Sequence, residues 1–425
     1  MKIHRPIVEG MAAALSDIFN LGYFADKVLE RTFKAHRKWG GRDRRFVAEG
    51  VYDIVRWWRR YLKTQNMVWS DEQYVRFRGE KDAPLLLSEE DLLKIIVSWM
   101  VVKKIEVPEW LQVEFSIDDQ YIMSTWESVG LSRSERLSLS DWMDQLGSSL
   151  LSDRWEAQIA SMNQPAPVFL RVNTLKARPQ EVVSSLEEEE IESRVIDEGR
   201  GTIEVNSGER RPNVFQTQAY KKGWFEVQDG GSQWIAPFLQ VEPGQRVIDA
   251  CAGAGGKSLH LATLMQNKGR IISMDVEDWK LKELRKRSSR AGLDIIETRA
   301  IDSTKVIKRL KEQADRLLLD VPCTGVGVLR RNPDSKWRLT EDRYLELLKL
   351  QSEIIERYSQ MVKPGGKMVY ATCSLWPTEN EEQVKAFLSS HGSQWELEEE
   401  KIISPAETSF DGFYMARLVR KSTSS

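Results

Sequence analysis

Few of the side chains that build disulfides or bind metals occur in this chain. Its 425 residues include three cysteines and four histidines. A small, odd number of cysteines fits a reducing, cytoplasmic location better than a disulfide scaffold. The histidines are scattered and form no zinc-binding spacing with the cysteines, so we predict no bound metal.

Long apolar runs are missing as well, since no run approaches the roughly 18 residues that span a bilayer. Glu9 and Asp17 interrupt the apolar stretch at the N-terminus, which argues against a signal peptide. The net charge is −2, so the chain is not a polycation and any nucleic-acid surface must be a local patch. We therefore expect a cytoplasmic protein without a membrane partner.

The chain is too long for one typical domain, and its patterns divide it into three. Residues 1–135 carry apolar side chains at three- and four-residue spacing, which predicts an all-helical domain. Residues 136–232 predict linker helices followed by a small α+β unit. Residues 233–425 alternate strands with helices, which predicts an α/β domain with a doubly wound, mostly parallel, Rossmann-like sheet.

A basic patch lies in the helical region, between Arg31 and Arg60. It contains ten lysines or arginines, three acidic residues and three tryptophans, a mixture that contact with RNA phosphates requires. Arg44 is a candidate RNA contact within it. For any single residue of the patch a solvated helix face is the simpler interpretation, so the hypothesis concerns the patch as a whole.

A loop of small residues follows the first predicted strand of the α/β domain. Small side chains let the backbone approach a ligand closely, and the helix after the loop favours an anionic or polar group at its N-terminus. The loop is neither a dinucleotide fingerprint nor a Walker loop. We interpret its cysteine as a packing residue and not as a nucleophile. The predicted cofactor loop consists of Cys251, Ala252, Gly253, Ala254, Gly255, Gly256 and Lys257.

Two acidic residues follow the next two predicted strands. Asp275 ends the second strand, about 20 residues after the loop, where an acid commonly accepts hydrogen bonds from ribose hydroxyls. Asp302 ends the third strand and is placed to contact an adenine edge. Each acid alone is equally consistent with a helix N-cap. Together, on successive strand ends, they predict a cleft for an adenosyl ligand.

Two cysteines end apolar runs in the same domain. Cys323 closes Leu-Leu-Leu-Asp-Val-Pro-Cys, and Cys373 lies in Tyr-Ala-Thr-Cys-Ser. Both runs predict buried strands, and ligands of open α/β sheets bind outside the carboxyl ends of the strands. The pair therefore indicates thiolate chemistry in one crevice. The alternative is two buried core thiols, which are common in proteins.

Two long motifs around these cysteines resemble those of a known family. One reads Asp320-Val-Pro-Cys323-Thr-Gly-Val-Gly and is followed by Arg330-Arg-Asn-Pro-Asp-Ser-Lys-Trp. The other reads Tyr-Ala-Thr-Cys373-Ser-Leu-Trp-Pro-Thr-Glu-Asn-Glu. The chain resembles the S-adenosylmethionine-dependent RNA cytosine-5 methyltransferases, and most closely their bacterial Sun/Fmu, or RsmB-like, branch that acts on small-subunit ribosomal RNA. Its helical region resembles the NusB-type RNA-binding domain of that branch.

The resemblance implies a role for each residue of the predicted crevice. In this family the cysteine at the position of Cys373 is the nucleophile that adds to carbon 6 of the base. The cysteine at the position of Cys323 assists removal of the carbon 5 proton, and Asp320 would contact both the base and the cofactor, S-adenosylmethionine. The family's middle RNA-binding unit and the basic residues near the motifs imply RNA contacts through Arg171, Asn173, Arg330, Arg331 and Lys336.

The implied function is methylation of carbon 5 of a cytosine in 16S ribosomal RNA by a monomeric enzyme. Two alternatives stay open: a transfer RNA substrate, and a non-catalytic RNA-binding assembly factor. The NusB-like region, and the lack of room for a further C-terminal RNA-binding domain, favour the ribosomal substrate. Retention of both cysteines favours an enzyme. Ala254 stands where many relatives have proline, which loosens the loop but keeps its glycines.

Overall fold

The structure is a computed structural model that describes residues 3–71, 87–206, 208 and 212–422. It divides into two compact units, Met1–Pro165 with Leu329–Glu341, and Ala166–Val328 with Asp342–Ser425. Residues 72–86 of the predicted helical domain lie outside the described residues. Within the described ranges, no helix has both the length and the hydrophobicity that crossing a bilayer requires.

The first unit is helical throughout its described residues. The side chains of Met11, Val51 and Ile96 are fully buried in its core, and the ring of Phe19 stacks on Trp58 with centroids 3.5 Å apart. The predicted helical character of this region is confirmed. Its helices before residue 165 are α1 (Arg5–Phe19), α2 (Ala25–Ala35), α3 (Gly41–Arg56), α4 (Trp58–Thr64), α5 (Glu89–Val102), α6 (Glu109–Glu114), α7 (Asp119–Trp126), α8 (Arg133–Leu137), α9 (Asp141–Leu151) and α10 (Arg154–Met162).

A small antiparallel sheet begins the second unit. Its strands pair in the order β2-β3-β1-β4, and the apolar side chains of Leu170, Ile203 and Phe225 are fully buried beneath it. This is the predicted α+β element. Its parts are β1 (Val168–Val172), α11 (Pro179–Glu187), β2 (Ser193–Asp197), β3 (Thr202–Val205), α12 (Gln218–Lys221) and β4 (Phe225–Val227).

A seven-stranded sheet forms the rest of the second unit, in the order β10-β11-β9-β8-β5-β6-β7. Strands β5 to β9 run parallel, whereas β11 is antiparallel to both β9 and β10. The predicted Rossmann-like fold is confirmed. Its elements are α13 (Ile235–Phe238), β5 (Arg246–Asp249), α14 (Gly256–Leu264), β6 (Arg270–Asp275), α15 (Asp278–Ala291), β7 (Ile296–Ala300), α16 (Thr304–Lys308), β8 (Ala314–Asp320), α18 (Glu341–Ser359), β9 (Val362–Thr372), α19 (Glu381–His391), β10 (Trp395–Ile403) and β11 (Phe413–Arg420), with α17 (Ser335–Arg338) folding into the first unit.

The strand order of the sheet determines where a ligand crevice forms. From β5 the chain moves outward to β6 and β7, then returns to the other side of β5 to form β8 and β9. The order therefore reverses between β5 and β8, and a ligand crevice forms outside the carboxyl ends of strands at such a point. Asp249 ends β5 and Asp320 ends β8 at this edge.

The boundaries of the two compact units differ from those of the three predicted domains. Helices α9 and α10 belong to the first unit because their polar groups bond to it: Arg59 binds the carboxylate of Asp141 at 2.7 Å, and Asn163 donates to Leu137 O. The small sheet belongs to the same unit as the large one, because Glu226 on β4 forms ion pairs with Arg287 on α15.

Candidate active site

The two motif cysteines meet at the carboxyl ends of adjacent parallel strands. Cys323 follows β8 and Cys373 follows β9, and their sulfur atoms lie 3.3 Å apart. Both are free thiols with partly exposed side chains. The amide of Gly327 donates to Cys373 O at 2.9 Å. The two loops are therefore joined by a backbone hydrogen bond as well as by the contact between the two thiols.

The two sulfur atoms share a hydrogen bond. It raises the pKa of the Cys323 thiol well above its usual range, and burial raises it further. A raised pKa disfavours the thiolate form of Cys323. Cys323 is therefore a protonated thiol whose sulfur contacts that of Cys373.

A buried carboxylate behind the cysteines fixes the loop of Cys323. Glu379 is fully buried and accepts hydrogen bonds from Thr324 N and Gln351 Nε2, both at 2.9 Å. Gln351 also donates to Pro322 O at 2.9 Å. Sequence reasoning gave Glu379 and Gln351 no role, although the Glu-Asn-Glu part of the second motif was a signal for the first of them.

A neighbouring buried amide fixes the loop of Cys373. Asn380 accepts a hydrogen bond from Thr372 Oγ1 and donates one to Ser374 O at 3.1 Å. Thr372 Oγ1 in turn accepts from Ser374 N at 3.2 Å. The residues on both sides of Cys373 are thus held by one side chain, which restricts the direction in which the sulfur points.

An ion pair lies next to the thiols. Lys257 Nζ and Asp320 Oδ2 are 2.5 Å apart, with 13% and 26% of their side chains exposed. Burial opposes the charge of Lys257, but the carboxylate of Asp320 and the negative form of Cys373 outweigh it and raise the lysine pKa. Lys257 is therefore a fixed positive charge beside the thiols.

The predicted cofactor loop is bent by its glycines. Gly253 and Gly255 have φ angles of +54° and +86°, which favour glycine. At Gly255 an added Cβ would lie 2.3 Å from Leu284 Cγ, whereas at Gly253 it would meet no atom within 4 Å. The space in front of Gly253 is open to a ligand, and this open cradle fits the predicted adenosyl group.

The predicted cleft acids occupy different environments. Asp275 is buried and accepts from the backbone amides of Gly253 and Glu277, both at 2.8 Å. Asp302 is exposed and accepts from Ser303 Oγ at 3.1 Å. The N-cap of α16 is Ser303, so Asp302 does not cap that helix. Among the described residues, no group of three or more His, Cys, Asp or Glu side chains is placed to hold a metal ion.

Several predicted RNA contacts are instead engaged inside the protein. Arg171 and Asn173 are buried; Asn173 donates to Gly223 O and Ala291 O. Lys336, fully buried in the first unit, donates to Arg56 O and Asn163 Oδ1. The polar atoms of these three side chains contact protein groups and not solvent, so we do not propose that they bind RNA.

The other predicted RNA contacts lie in the first unit. Arg330 is 4% exposed and Arg331 is half-buried. Arg44 donates to Trp39 O at 3.0 Å and is half-buried. The exposed cations of the basic patch near it are Arg37, Lys38, Arg42 and Arg45.

Two family models match the chain from residue 140 onward, one over part of the small sheet with the helices before it and one over the large sheet. The family described as 16S rRNA methyltransferase RsmB/F matches residues 236–421, and a ferredoxin-like domain described as RsmF/B-like matches residues 140–208. A protein named probable ribosomal RNA small subunit methyltransferase B from Synechocystis is 36% identical over 282 residues, which cover 65% of this chain and 61% of the relative. Ribosomal RNA small subunit methyltransferase B from Vibrio vulnificus is 32% identical over 66% of each chain. The matched segments thus span about two thirds or less of these relatives' own length.

Solved structures resemble the chain over a longer span. The crystal structure of PH0851 covers 98% of this chain and 99% of its own, with a TM-score of 0.77 and 26% identity. A methyltransferase homolog protein from Pyrococcus horikoshii covers 68% of this chain and 97% of its own, with a TM-score of 0.59 and 27% identity.

Proposed function

The chain belongs to the family of 16S rRNA methyltransferases RsmB/F, and from this premise we propose that it methylates carbon 5 of a cytosine in small-subunit ribosomal RNA. The methyl donor in this proposal is S-adenosylmethionine. The observation that carries the proposal is the pair of thiols, Cys323 and Cys373, 3.3 Å apart at the crevice of the sheet. A methyl transfer to a ring nitrogen or to ribose would have no use for such a pair.

The first step is activation of the base by Cys373. Carbon 5 of cytosine is too weak a nucleophile to take a methyl group directly. When the Cys373 sulfur forms a bond to carbon 6, the electron pair of the carbon 5–carbon 6 double bond becomes available at carbon 5. Bound S-adenosylmethionine supplies a methyl group on a positively charged sulfur, which carbon 5 can then attack.

The second step is release by Cys323. Once the methyl group is in place, carbon 5 must lose its proton so that the double bond re-forms and the Cys373–carbon 6 bond breaks. Cys323 is the sulfur next to Cys373 and takes part in that proton removal.

The ion pair orients the base in this proposal. Asp320 contacts the ring-nitrogen edge of the cytosine and so orients the base, and the positive charge of Lys257 stabilises the negative charge that develops on the ring when sulfur adds to carbon 6. Lys257 holds the Asp320 carboxylate in place. Residues 251–257, Asp275 and Asp302 would hold the cofactor, with the open space in front of Gly253 as its entrance.

The test is methyl transfer from labelled S-adenosylmethionine to unmodified small-subunit ribosomal RNA and to transfer RNA in parallel, followed by nucleoside analysis. We expect label as 5-methylcytidine in the ribosomal RNA alone. Label in transfer RNA would keep the chemistry and change the substrate. A failure to label free RNA or isolated small subunits, with cofactor binding intact, would favour a non-catalytic RNA-binding assembly factor.

A further inference from the structure

Two arginines, Arg171, which is buried, and Arg287, which is partly buried, donate hydrogen bonds to the backbone of the predicted cofactor loop. Arg171 on β1 donates to Gly256 O at 2.6 Å, and Arg287 on α15 donates to Ala254 O at 2.8 Å. One arginine comes from the small sheet and the other from the methyltransferase fold. They bind alternate carbonyl groups of the same loop.

A carboxylate of the small sheet orients the second arginine. Glu226 on β4 is 4% exposed and accepts from Arg287 Nε at 3.1 Å and from Arg287 Nη2 at 2.9 Å. The same carboxylate accepts from Arg290, whose other nitrogen donates to Tyr220 OH at 2.6 Å. Both Arg287 nitrogens bond to the same oxygen, Glu226 Oε2, and two bonds from one guanidinium restrict its direction as well as its distance, so Glu226 determines where the Arg287 guanidinium points.

The first arginine is fixed in a similar way. Arg171 donates to Gln228 Oε1, and Gln228 Nε2 donates to Ser232 Oγ at 2.9 Å. Arg171 is only 3% exposed, and burial lowers its pKa to about 9. Its guanidinium cannot reach an RNA phosphate without leaving these partners and the loop.

We propose that Arg171 and Arg287 are positioning residues for the cofactor loop, and that the small sheet, through Glu226, sets the loop's geometry for S-adenosylmethionine. This rests on the proposed function. A loop with glycines at positive φ has many accessible conformations, and ordering it on binding costs free energy. Fixing the carbonyl groups of Ala254 and Gly256 removes part of that cost before the cofactor arrives.

The test compares cofactor and RNA binding in full-length variants. Arg287→Met keeps the volume of the side chain but loses its donors, and we expect it to weaken S-adenosylmethionine binding about tenfold, the effect of one or two lost hydrogen bonds. Arg171→Met should act in the same way, and Arg171→Lys should restore part of the affinity. The dissociation constant for ribosomal RNA should stay unchanged in all three variants.

Matched controls lie on the same elements. Arg285 on α15 is exposed and donates to Thr298 Oγ1, and Arg178, before α11, is exposed beside Glu181. Arg285→Met and Arg178→Met should leave both affinities unchanged. In a double-mutant cycle, Glu226→Gln and Arg287→Met should be non-additive for cofactor affinity, because the carboxylate acts through the arginine.

Each outcome separates this proposal from its alternatives. If the wild-type protein binds S-adenosylmethionine and the Arg171 and Arg287 variants bind it equally well, the positioning role is wrong and the proposed function stands. If Arg171→Met weakens RNA binding alone, Arg171 contacts RNA and the proposal is wrong. Loss of both affinities together with a lower melting temperature would indicate general destabilisation and also overturn it. A wild-type protein that binds no S-adenosylmethionine would remove the proposed function itself.

Discussion

Cys323 Sγ lies 3.3 Å from Cys373 Sγ, although the two residues are 50 positions apart in the chain. They meet because β8 and β9 are adjacent and parallel, so both strands end at the same edge of the sheet. The hydrogen bond between the sulfurs, together with burial, raises the pKa of the Cys323 thiol well above its usual range. Different side chains hold the two loops, Glu379 that of Cys323 and Asn380 that of Cys373. Two chemically identical side chains are therefore expected to have different roles, and their variants to have different phenotypes.

Replacement of Cys373 should abolish catalysis at its first step. In Cys373→Ala no sulfur remains to form the bond to carbon 6, so we expect turnover to fall by at least about a thousandfold. No covalent protein–RNA complex should form, as judged by denaturing gel electrophoresis of the protein after incubation with RNA and cofactor. A variant that still forms the complex would assign the nucleophile elsewhere.

Replacement of Cys323 should stop the reaction after methyl transfer. Cys323→Ala keeps the nucleophile but loses the group that assists removal of the carbon 5 proton, so a methylated adduct should accumulate. The same gel should show a shifted band that carries methyl label from the cofactor. The double variant Cys323→Ala/Cys373→Ala is the control and should show no band. A band in Cys373→Ala but not in Cys323→Ala would reverse the two roles.

The buried carboxylate behind the thiols should affect rate more than cofactor affinity. Glu379→Gln removes the charge of the oxygen that accepts from both Thr324 N and Gln351 Nε2, and it places a donor where the other oxygen accepts from Thr324 Oγ1, at a cost of about 1–3 kcal/mol. We expect kcat to fall about tenfold or more, because the loop of Cys323 loses its anchor, while KM for S-adenosylmethionine stays within about twofold.

Glu382→Gln is the matched control for this variant. Glu382 lies on α19 and is exposed, so its replacement should leave kcat and KM unchanged. If Glu379→Gln raised KM for the cofactor and left kcat intact, the carboxylate would support the cofactor site and not the thiol loop.

Much of this site is predictable from the sequence because strand ends are local features. The apolar run before Cys323 and the one before Cys373 each predict a buried strand, and parallel strands bring their ends to one edge. Asp275 is found at the end of β6, as predicted. Such features need only the pattern of a few neighbouring residues.

The supporting contacts could not be predicted in this way. Gln351 lies on α18. The apolar spacing of that helix predicts which of its faces is buried, but it does not predict that Gln351 contacts Glu379. Lys336 stands in a basic segment that predicts an exposed contact, yet it is buried against Asn163 in the first unit. These contacts depend on how distant elements pack, and that information is not local.

A raised carboxyl pKa should make stability depend on pH. Burial, and next the charge of Asp320, raise the pKa of Asp249 from 3.8 to about 7. A carboxyl group that binds its proton more tightly in the folded state loses stability as the pH rises from its unfolded to its folded pKa. Asp249→Asn removes this loss. Between about pH 4 and 7 the unfolding free energy of the variant should therefore fall less steeply than that of the wild type, and the two slopes should differ by up to about 1.4 kcal/mol per pH unit.

Urea unfolding of both proteins across that range measures the difference. The wild-type and Asp249→Asn curves of unfolding free energy against pH should converge toward acid and separate toward neutral pH. Parallel curves would show that Asp249 has the same pKa in the folded and unfolded states.

The exposed part of the basic patch should supply RNA affinity without sequence preference. Lys38 is exposed between α2 and α3, and Arg42 is exposed in the first turn of α3, whereas Arg59 of the same patch is bound to Asp141. Replacing both exposed residues by alanine should weaken binding to ribosomal and unrelated RNA by similar factors. The slope of log affinity against log salt should shrink by about 0.7–0.9 for each lost phosphate contact.

Lys27→Ala provides the control, because Lys27 is 66% exposed but its charge is offset by Asp26 and Glu30. It should leave the salt slope unchanged. An unchanged slope in the Lys38→Ala/Arg42→Ala variant would exclude the patch from RNA contact. A loss confined to one RNA sequence would instead indicate base recognition there, since phosphate contacts weaken binding to all RNAs alike.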